Sequence, residues 1–184
     1  IAELAERVER DMRAGSTQRA AIVRVERVGQ LPLSFSQERL WFLDQLEPGS
    51  ALYNMPAAIR LRGPLDAHAL GLAIKEVVRR HETLRTTFSV VDGRPVQIVS
   101  PSLAFEVPVQ DLRHLGAEER EAEVVRMAEA EARRPFDLAR GPLVSAALLR
   151  LGAEEHVLLW TMHHIIGDGW SMGVLIKEVA ALYE

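Results

Sequence analysis

Two long apolar segments near the carboxyl end of the sequence restrict its fold more than any other feature. They cover residues 143–152 and 154–166, and the polar residues between them predict a turn. Both segments are predicted strands. Because apolar residues occupy them almost continuously, neither strand can leave a face in water, and we expect a sheet that is covered on both faces.

Residue patterns elsewhere predict the elements that would complete such a sheet. Four segments with apolar residues at helical spacing are predicted helices, which lie within 31–50 and over 67–80, 117–134 and 171–184. Further strands are predicted over 53–63, on either side of a turn within 80–100, and at a sheet edge over 104–112. The mixed order of helices and strands predicts an α/β or α+β class with a central sheet.

Local signals predict several boundaries and core positions. Ser36 and Asp66 are predicted helix N-caps, because a side-chain oxygen there can accept a backbone N–H of the first turn. Asp92–Gly93 is typical of a hairpin turn. Trp41 and Phe42 are predicted to be core residues.

The composition excludes several classes of protein. The 184 residues are 48% hydrophobic and 26% charged with a formal net charge of −4, so the basic surface that nucleic acid binding requires is not predicted. The chain contains no cysteine, which excludes disulfides, thiol nucleophiles and thiolate-bound zinc and fits a cytoplasmic location. No apolar run approaches the ~18 residues of a membrane span.

The first residues predict a separate element. Apolar residues at helical spacing and Glu–Arg pairs four residues apart predict an amphipathic helix over 1–15. A linker over 16–29 and a main body over 30–184 are predicted to follow. Because the sequence starts and ends inside helical patterns, we expect it to be part of a longer polypeptide.

Two adjacent histidines close the second apolar segment. Because side chains alternate across a strand, His163 and His164 should point to opposite faces, which argues against a shared metal ion. Gly167 and Gly169 would permit positive φ angles before a helix whose first N–H groups favour developing negative charge. A neutral imidazole beside such donors suits acyl transfer. The alternative is that one or both histidines are hydrogen-bonded core residues.

Three motifs carry a family resemblance. The segment HHIIGDG (163–169) matches the HHxxxDG signature of nonribosomal peptide synthetase condensation domains, which other acyltransferases of the chloramphenicol acetyltransferase-like fold share. LPLSFSQERLWFLDQL (31–46) resembles the opening motif of these domains, and RHETLRTTF (80–88) resembles their second motif. The resemblance covers roughly residues 29–184 and implies an α/β lobe, or α+β sandwich, with a central mixed sheet flanked by helices.

The resemblance implies a peptide-bond-forming site around His164. In the family, the second histidine of the signature faces the reaction channel and deprotonates or positions the acceptor amine that attacks a donor thioester. His163 would point into the fold and support the site. Asp168 would be a structural residue paired with an arginine of the second motif, with Arg85 as the first choice and Arg80 as the second.

Other residues of the motifs have predicted supporting roles. Gly169 would leave its backbone N–H free near the developing oxyanion, or would be a turn glycine only. Ser171 is predicted to be a helix N-cap and not a nucleophile, because no GxSxG elbow is present. Gln37 and Arg39 match the opening motif and are predicted to be structural.

The resemblance also implies what would surround this lobe. The family's later motifs are absent, so the chain would be an N-terminal lobe without its C-terminal lobe, and we expect it to be inactive alone. Residues 1–15 would be either the tail of an upstream carrier domain or a docking helix. The partners would be upstream donor and downstream acceptor carrier domains, with substrates on phosphopantetheine arms and no cofactor bound directly.

The motifs favour one subtype of the family and leave two alternatives. They resemble domains that join an L-configured donor to an L-configured acceptor. A related acyltransferase lobe for lipo-initiation or CoA-dependent acyl transfer is the first alternative. A non-catalytic lobe that only docks carrier domains is the second.

Overall fold

The structure is a computed structural model that describes residues 29–184. The predicted helix over 1–15 and nearly all of the predicted linker over 16–29 lie outside the described residues. The helices are α1 (Phe35–Leu46), α2 (Ala67–Arg80), α3 (Ala117–Ala132) and α4 (Gly169–Tyr183). The strands are β1 (Leu31–Pro32), β2 (Asn54–Arg62), β3 (Thr86–Val91), β4 (Arg94–Val99), β5 (Val109–Asp111), β6 (Val144–Arg150) and β7 (Glu155–His163).

The strands form two sheets. The larger sheet has the order β2-β7-β6-β5, and the smaller one has the order β1-β4-β3. All pairs are antiparallel except β5 with β6, which makes the larger sheet mixed. With helices flanking the sheets, the architecture confirms the predicted α/β fold class with a central mixed sheet.

The central strand β7 is buried on both faces, as its apolar sequence predicts. Trp160 and Met162 on one face join the main core, which includes residues of α2 and α4. Leu159 on the other face joins a second apolar cluster, which includes Val124 of α3. Because β7 lies between β2 and β6, both of its edges are paired as well.

Helix α2 matches its predicted bounds. The Asp66 side chain accepts the backbone N–H groups of His68 and Ala69 at 2.8 and 3.0 Å, which caps the helix as expected. Its apolar stripe is buried at Leu70, Ala73, Ile74, Val77 and Val78. The turn at Asp92–Gly93 also forms as predicted, with positive φ at both residues.

Three predictions about the secondary structure need correction. The N-cap of α1 is Ser34 and not Ser36, because Ser34 and Gln37 form a reciprocal capping box. Phe42 is 56% exposed and does not belong to the core, whereas Trp41 packs partly against it. The segment over 104–112 does provide an edge strand, but only Val109–Asp111 pairs with β6.

Candidate functional site

The last residue of β7 is a buried, neutral histidine. His163 is 2% exposed, and its ring centroid lies 6.4 Å from the rings of both Tyr53 and Phe136. Its Nδ1 accepts the backbone N–H of Ile165 at 3.1 Å, so the proton of the neutral ring is on Nε2. Burial, and secondarily the neighbouring His164, lowers the pKa of His163 to about 4, which keeps the ring neutral at physiological pH.

The next residue turns the opposite way and is exposed. The backbone N–H of His164 donates to the carbonyl of Tyr53 at 2.8 Å, which ties the turn to the start of β2. The imidazole Nδ1 lies 2.8 Å from the carbonyl oxygen of Gly167. Because a carbonyl can only accept, this contact places the proton of the neutral ring on Nδ1 and leaves the lone pair on Nε2 free.

His164 lines an open cavity of about 610 Å³. The walls come from the first turns of α1 and α4, from the end of the segment before β2, and from the turn after β7. The lining residues are Ser34, Ser36, Gln37, Arg39, Leu40, Tyr53, His164, Ile165, Gly167, Asp168 and Ser171. The structure therefore gives the predicted channel-facing histidine access to a space that can admit a substrate.

Asp168 is the N-cap of α4. Its carboxylate accepts the backbone N–H of Ser171 at 2.8 Å and the Ser171 hydroxyl at 2.7 Å. These bonds to Ser171 are the main reason that the pKa of Asp168 is lowered. Ser171 is therefore the third helical residue and not the N-cap, which corrects the sequence prediction.

The predicted ion pair between Asp168 and an arginine is not formed within residues 29–184. Arg85 donates to the carbonyls of Arg79 and Ser100, and Arg80 pairs with Glu76 at 2.8 Å. Both arginines are thus engaged around the end of α2 and the base of the β3–β4 hairpin. Replacing Asp168 by alanine should remove a helix cap and not one member of a buried ion pair.

Gly167 and Gly169 do not adopt the positive φ angles that glycine permits. Gly167 is instead closely approached by a buried side chain, because a Cβ atom there would lie 3.0 Å from Cε of Met162. Gly169 is the first residue of α4, and a Cβ atom there would meet open space. An oxyanion contact from the Gly169 N–H stays a prediction.

Two residues of the site were missed or undervalued from the sequence. Tyr53 lines the cavity and holds the backbone of His164, and no sequence motif indicates this contact. Gln37 reaches both the cavity and the turn after β7. The spacing of Ser34 and Gln37 is typical of a capping box and could have indicated that Gln37 is held in a defined orientation.

Two kinds of feature are absent from the described part of the chain. No group of three or more His, Asp or Glu side chains within it could hold a metal ion. None of its four helices is long and apolar enough to cross a membrane.

Comparisons with known proteins show the family of the chain. The family model described as Condensation domain matches residues 28–184. One of the subunits of linear gramicidin synthase from Brevibacillus parabrevis is 52% identical over 165 residues, which are 90% of this chain and 3% of that protein.

Two solved structures show the same fold. The starter condensation domain of rhizomide synthetase matches with a TM-score of 0.76 and 28% identity over 85% of this chain and 38% of that one. The first condensation domain of the calcium-dependent antibiotic synthetase, in complex with a substrate analogue, matches with a TM-score of 0.75 and 30% identity over 83% and 37%. The chain belongs to the condensation domain family of nonribosomal peptide synthetases, and it spans less than half of the solved domains that it matches.

Proposed function

We propose that this chain is the N-terminal lobe of a condensation domain that forms an amide bond. The donor is an acyl or peptidyl thioester and the acceptor is an aminoacyl amine, each delivered on the phosphopantetheine arm of a carrier domain. The observation that carries the proposal is the exposed His164 imidazole, whose Nδ1 is held by the Gly167 carbonyl at 2.8 Å while Nε2 is free.

The free nitrogen suits the proton transfer that aminolysis requires. The acceptor amine attacks the thioester carbonyl carbon and forms a C–N bond. In the resulting tetrahedral intermediate the nitrogen is positively charged and the former carbonyl oxygen is negatively charged. Nε2 of His164 removes the proton from nitrogen. The intermediate then collapses with loss of the donor thiolate, which takes the proton back from the imidazolium. His163 and Asp168 touch no reacting atom in this scheme and support the strand end and helix α4.

A second lobe should complete the site. Phe35 and Trp170 lie in the first turns of the helices that border the cavity and are 92% and 85% exposed. Such exposed aromatic surface favours cover by another surface. Holding both substrates in line supplies a large part of the rate in such reactions. The C-terminal lobe would provide the opposite wall and hold the two arms.

The finer assignments follow from the family and the motifs. We propose upstream donor and downstream acceptor carrier domains as partners, and a preference for L-configured donor and acceptor. Residues 1–15 would connect the lobe to a carrier domain or dock it. The cytoplasmic location expected from the composition stays a prediction.

One alternative function has support from the comparisons. The starter condensation domain of rhizomide synthetase shares the fold at 28% identity, and a variant of it was solved in complex with C8-CoA. A starter-type lobe that takes a fatty acyl donor from CoA is therefore the second candidate. Assaying the full-length synthetase with acyl-CoA and with an aminoacyl carrier as competing donors separates the two. Product from acyl-CoA alone would favour the starter reaction.

The central test is His164→Ala in the full-length synthetase. We expect loss of amide product by about 100-fold or more, the usual contribution of a general base. His114→Ala is the matched control, because His114 is exposed in the loop after β5 and does not line the cavity. Unchanged product formation by His164→Ala would favour a lobe that only docks carrier domains.

A further inference from the structure

We infer that Gln37 is a positioning residue for His164, acting through the turn that supplies the hydrogen-bond acceptor of the imidazole. This inference rests on the proposed function of His164. Gln37 is the third residue of α1, is half-buried, and lines the same cavity as His164. Its carboxamide makes no hydrogen bond to the imidazole, so a positioning effect on the ring has to pass through the turn.

The Gln37 carboxamide joins three parts of the chain that are distant in sequence. Its Oε1 accepts the backbone N–H of Ser34 at 2.9 Å. Its Nε2 lies 3.2 Å from Oε1 of Gln97 on β4 and 3.4 Å from the carbonyl oxygen of Ile165. Both N–H groups of the amide therefore have acceptors, and the orientation of the amide is determined.

The contact at Ile165 lies inside the turn that shapes the site. The backbone of Ile165 is held on both sides. Its N–H donates to Nδ1 of His163, and its carbonyl accepts from Nε2 of Gln37. The N–H of Ile166 closes the turn on the carbonyl of His163 at 3.1 Å. The carbonyl of Gly167, two residues after Ile165, accepts the Nδ1 proton of His164. Holding Ile165 therefore restricts where the acceptor of the imidazole can lie.

The smaller sheet provides the anchor for this contact. Gln97 is paired with Leu31 and Phe88 in neighbouring strands, and its Nε2 donates to the carbonyl of Pro32 at 2.8 Å. Because this bond fixes the orientation of the Gln97 amide, its Oε1 points toward Gln37 and accepts from Gln37 Nε2. A rigid strand is thereby linked, through one amide, to the turn beside the imidazole.

Helix capping alone does not require an amide at this position. A glutamate three residues after the N-cap closes a capping box as well as a glutamine does. Glutamate cannot donate to the carbonyl of Ile165 or to the Gln97 Oε1. Gln37→Glu therefore keeps the cap and the shape of the side chain while it removes both donated hydrogen bonds.

The test combines kinetics with a spectroscopic measurement. In the full-length synthetase, we expect Gln37→Glu to lower kcat by about 10- to 100-fold, the range for a misplaced catalytic group, with KM for both loaded carrier domains within about twofold. Nitrogen-15 NMR of the 184-residue chain should show the His164 ring as the Nδ1–H tautomer in the parent protein and as a mixture of the Nδ1–H and Nε2–H tautomers in Gln37→Glu. Glu119→Gln is the reverse exchange at the third residue of α3, where Glu119 accepts the backbone N–H of Gly116 at 3.3 Å, and it should change neither.

A second variant covers the case in which Gln37→Glu does not fold. Gln97→Met removes the acceptor that Gln97 offers to Gln37 but leaves the bond from Gln37 to Ile165 in place. We expect a smaller loss of kcat than in Gln37→Glu and a change of the His164 tautomer in the same direction. Folding of each variant is checked by its thermal unfolding midpoint. A purely structural role would lower that midpoint without altering the tautomer of the ring.

The outcomes separate this inference from the proposed function. If His164→Ala abolishes product but the Gln37 and Gln97 variants keep the kcat and the His164 tautomer of the parent protein, the positioning role is overturned. If His164→Ala retains product, the catalytic proposal fails, whereas the NMR signal of Gln37→Glu still decides whether Gln37 orients the ring.

Discussion

At the scale of single residues, two neighbouring histidines differ because of where the strand and the turn place them. His163 is enclosed by the rings of Tyr53 and Phe136, and its Nδ1 is an acceptor. His164 is exposed, and its Nδ1 is a donor to the Gly167 carbonyl. The same side chain therefore has opposite neutral tautomers at adjacent positions, and only the second offers a free nitrogen to the cavity.

The buried histidine should make folding depend on pH. Because the pKa of His163 is lowered from its ordinary 6.5 to about 4, the unfolded chain binds a proton that the folded chain does not over this range. The contribution of His163 to the free energy of unfolding should therefore be fully present above pH 6.5. It should be lost, by on the order of 3 kcal/mol, as the pH drops toward 4. Urea unfolding at several pH values measures this slope.

His163→Gln is the comparison for that experiment, since glutamine does not titrate. The pKa of the buried His156 is also lowered, chiefly by burial, and this residue remains in both proteins. The difference between the two slopes therefore isolates His163. Equal slopes between pH 6.5 and 4 would contradict the assignment.

The close contact at Gly167 predicts an unfavourable substitution. Gly167→Ala would place Cβ 3.0 Å from Cε and 3.3 Å from Sδ of Met162, which is fully buried. We expect a loss of about 1–3 kcal/mol in the free energy of unfolding, typical of overpacking. Gly169→Ala is the control, because open space surrounds that position at the start of α4.

A double-mutant cycle tests the cause. Met162→Leu removes the terminal methyl group, and combining it with Gly167→Ala should recover at least ~0.5 kcal/mol relative to the sum of the single changes. Additive losses would show that Met162 is not the obstacle.

At the scale of elements, helix α2 shows how strongly a local pattern can specify structure. Its N-cap, its bounds and its buried stripe were all predicted, because each depends on residues within four positions of one another. The N-caps of α1 and α4 were misplaced by two and three residues, since each helix has a second cap-type side chain, Ser36 or Ser171, within its first turn. Which of them caps the helix depends on how the chain enters it.

The two faces of α2 should respond very differently to truncation. Ile74 is fully buried, and Ile74→Ala should lower the free energy of unfolding by about 2–5 kcal/mol because it leaves a cavity in the core. Leu72 on the same helix is 52% exposed, and Leu72→Ala should change the free energy of unfolding by less than about 0.5 kcal/mol. Chemical denaturation of both variants measures the difference, and similar losses would show that the helix is packed otherwise.

At the scale of the whole molecule, the site lies at the surface of a lobe and not between two walls. The first turns of α1 and α4 border the cavity, and Phe35 and Trp170 project from them with little cover. The chain spans 38% and 37% of the two solved condensation domains described above. The histidine that we propose as the base and its hydrogen-bond acceptor are thus present, whereas the surface that would hold the substrates opposite them lies outside this lobe in our proposal.

This arrangement predicts that the chain alone does not catalyse condensation. Mixed with donor- and acceptor-loaded carrier domains, it should give no amide product above the uncatalysed rate, because the substrates are not held in line. Mass spectrometry of the released products measures this. Product formation that His164→Ala abolishes would show that one lobe suffices.

The amino-acid sequence determined those features whose causes are local. The buried central strand, the bounds of α2, the hairpin turn and the opposite orientations of His163 and His164 follow from hydrophobic periodicity, caps and the alternation of side chains along a strand. These depend on neighbours a few residues apart, which the sequence shows directly.

The contacts that make the site were determined by the packing of distant segments. Gln37 and Ile165 are 128 residues apart, and Arg85, predicted to pair with Asp168, instead meets the carbonyl of Ser100. Such partners depend on how helices and sheets are placed against each other, and several polar partners of equal chemistry compete for each group. Only the folded arrangement selects among them, because each bond requires two groups to meet at hydrogen-bond distance.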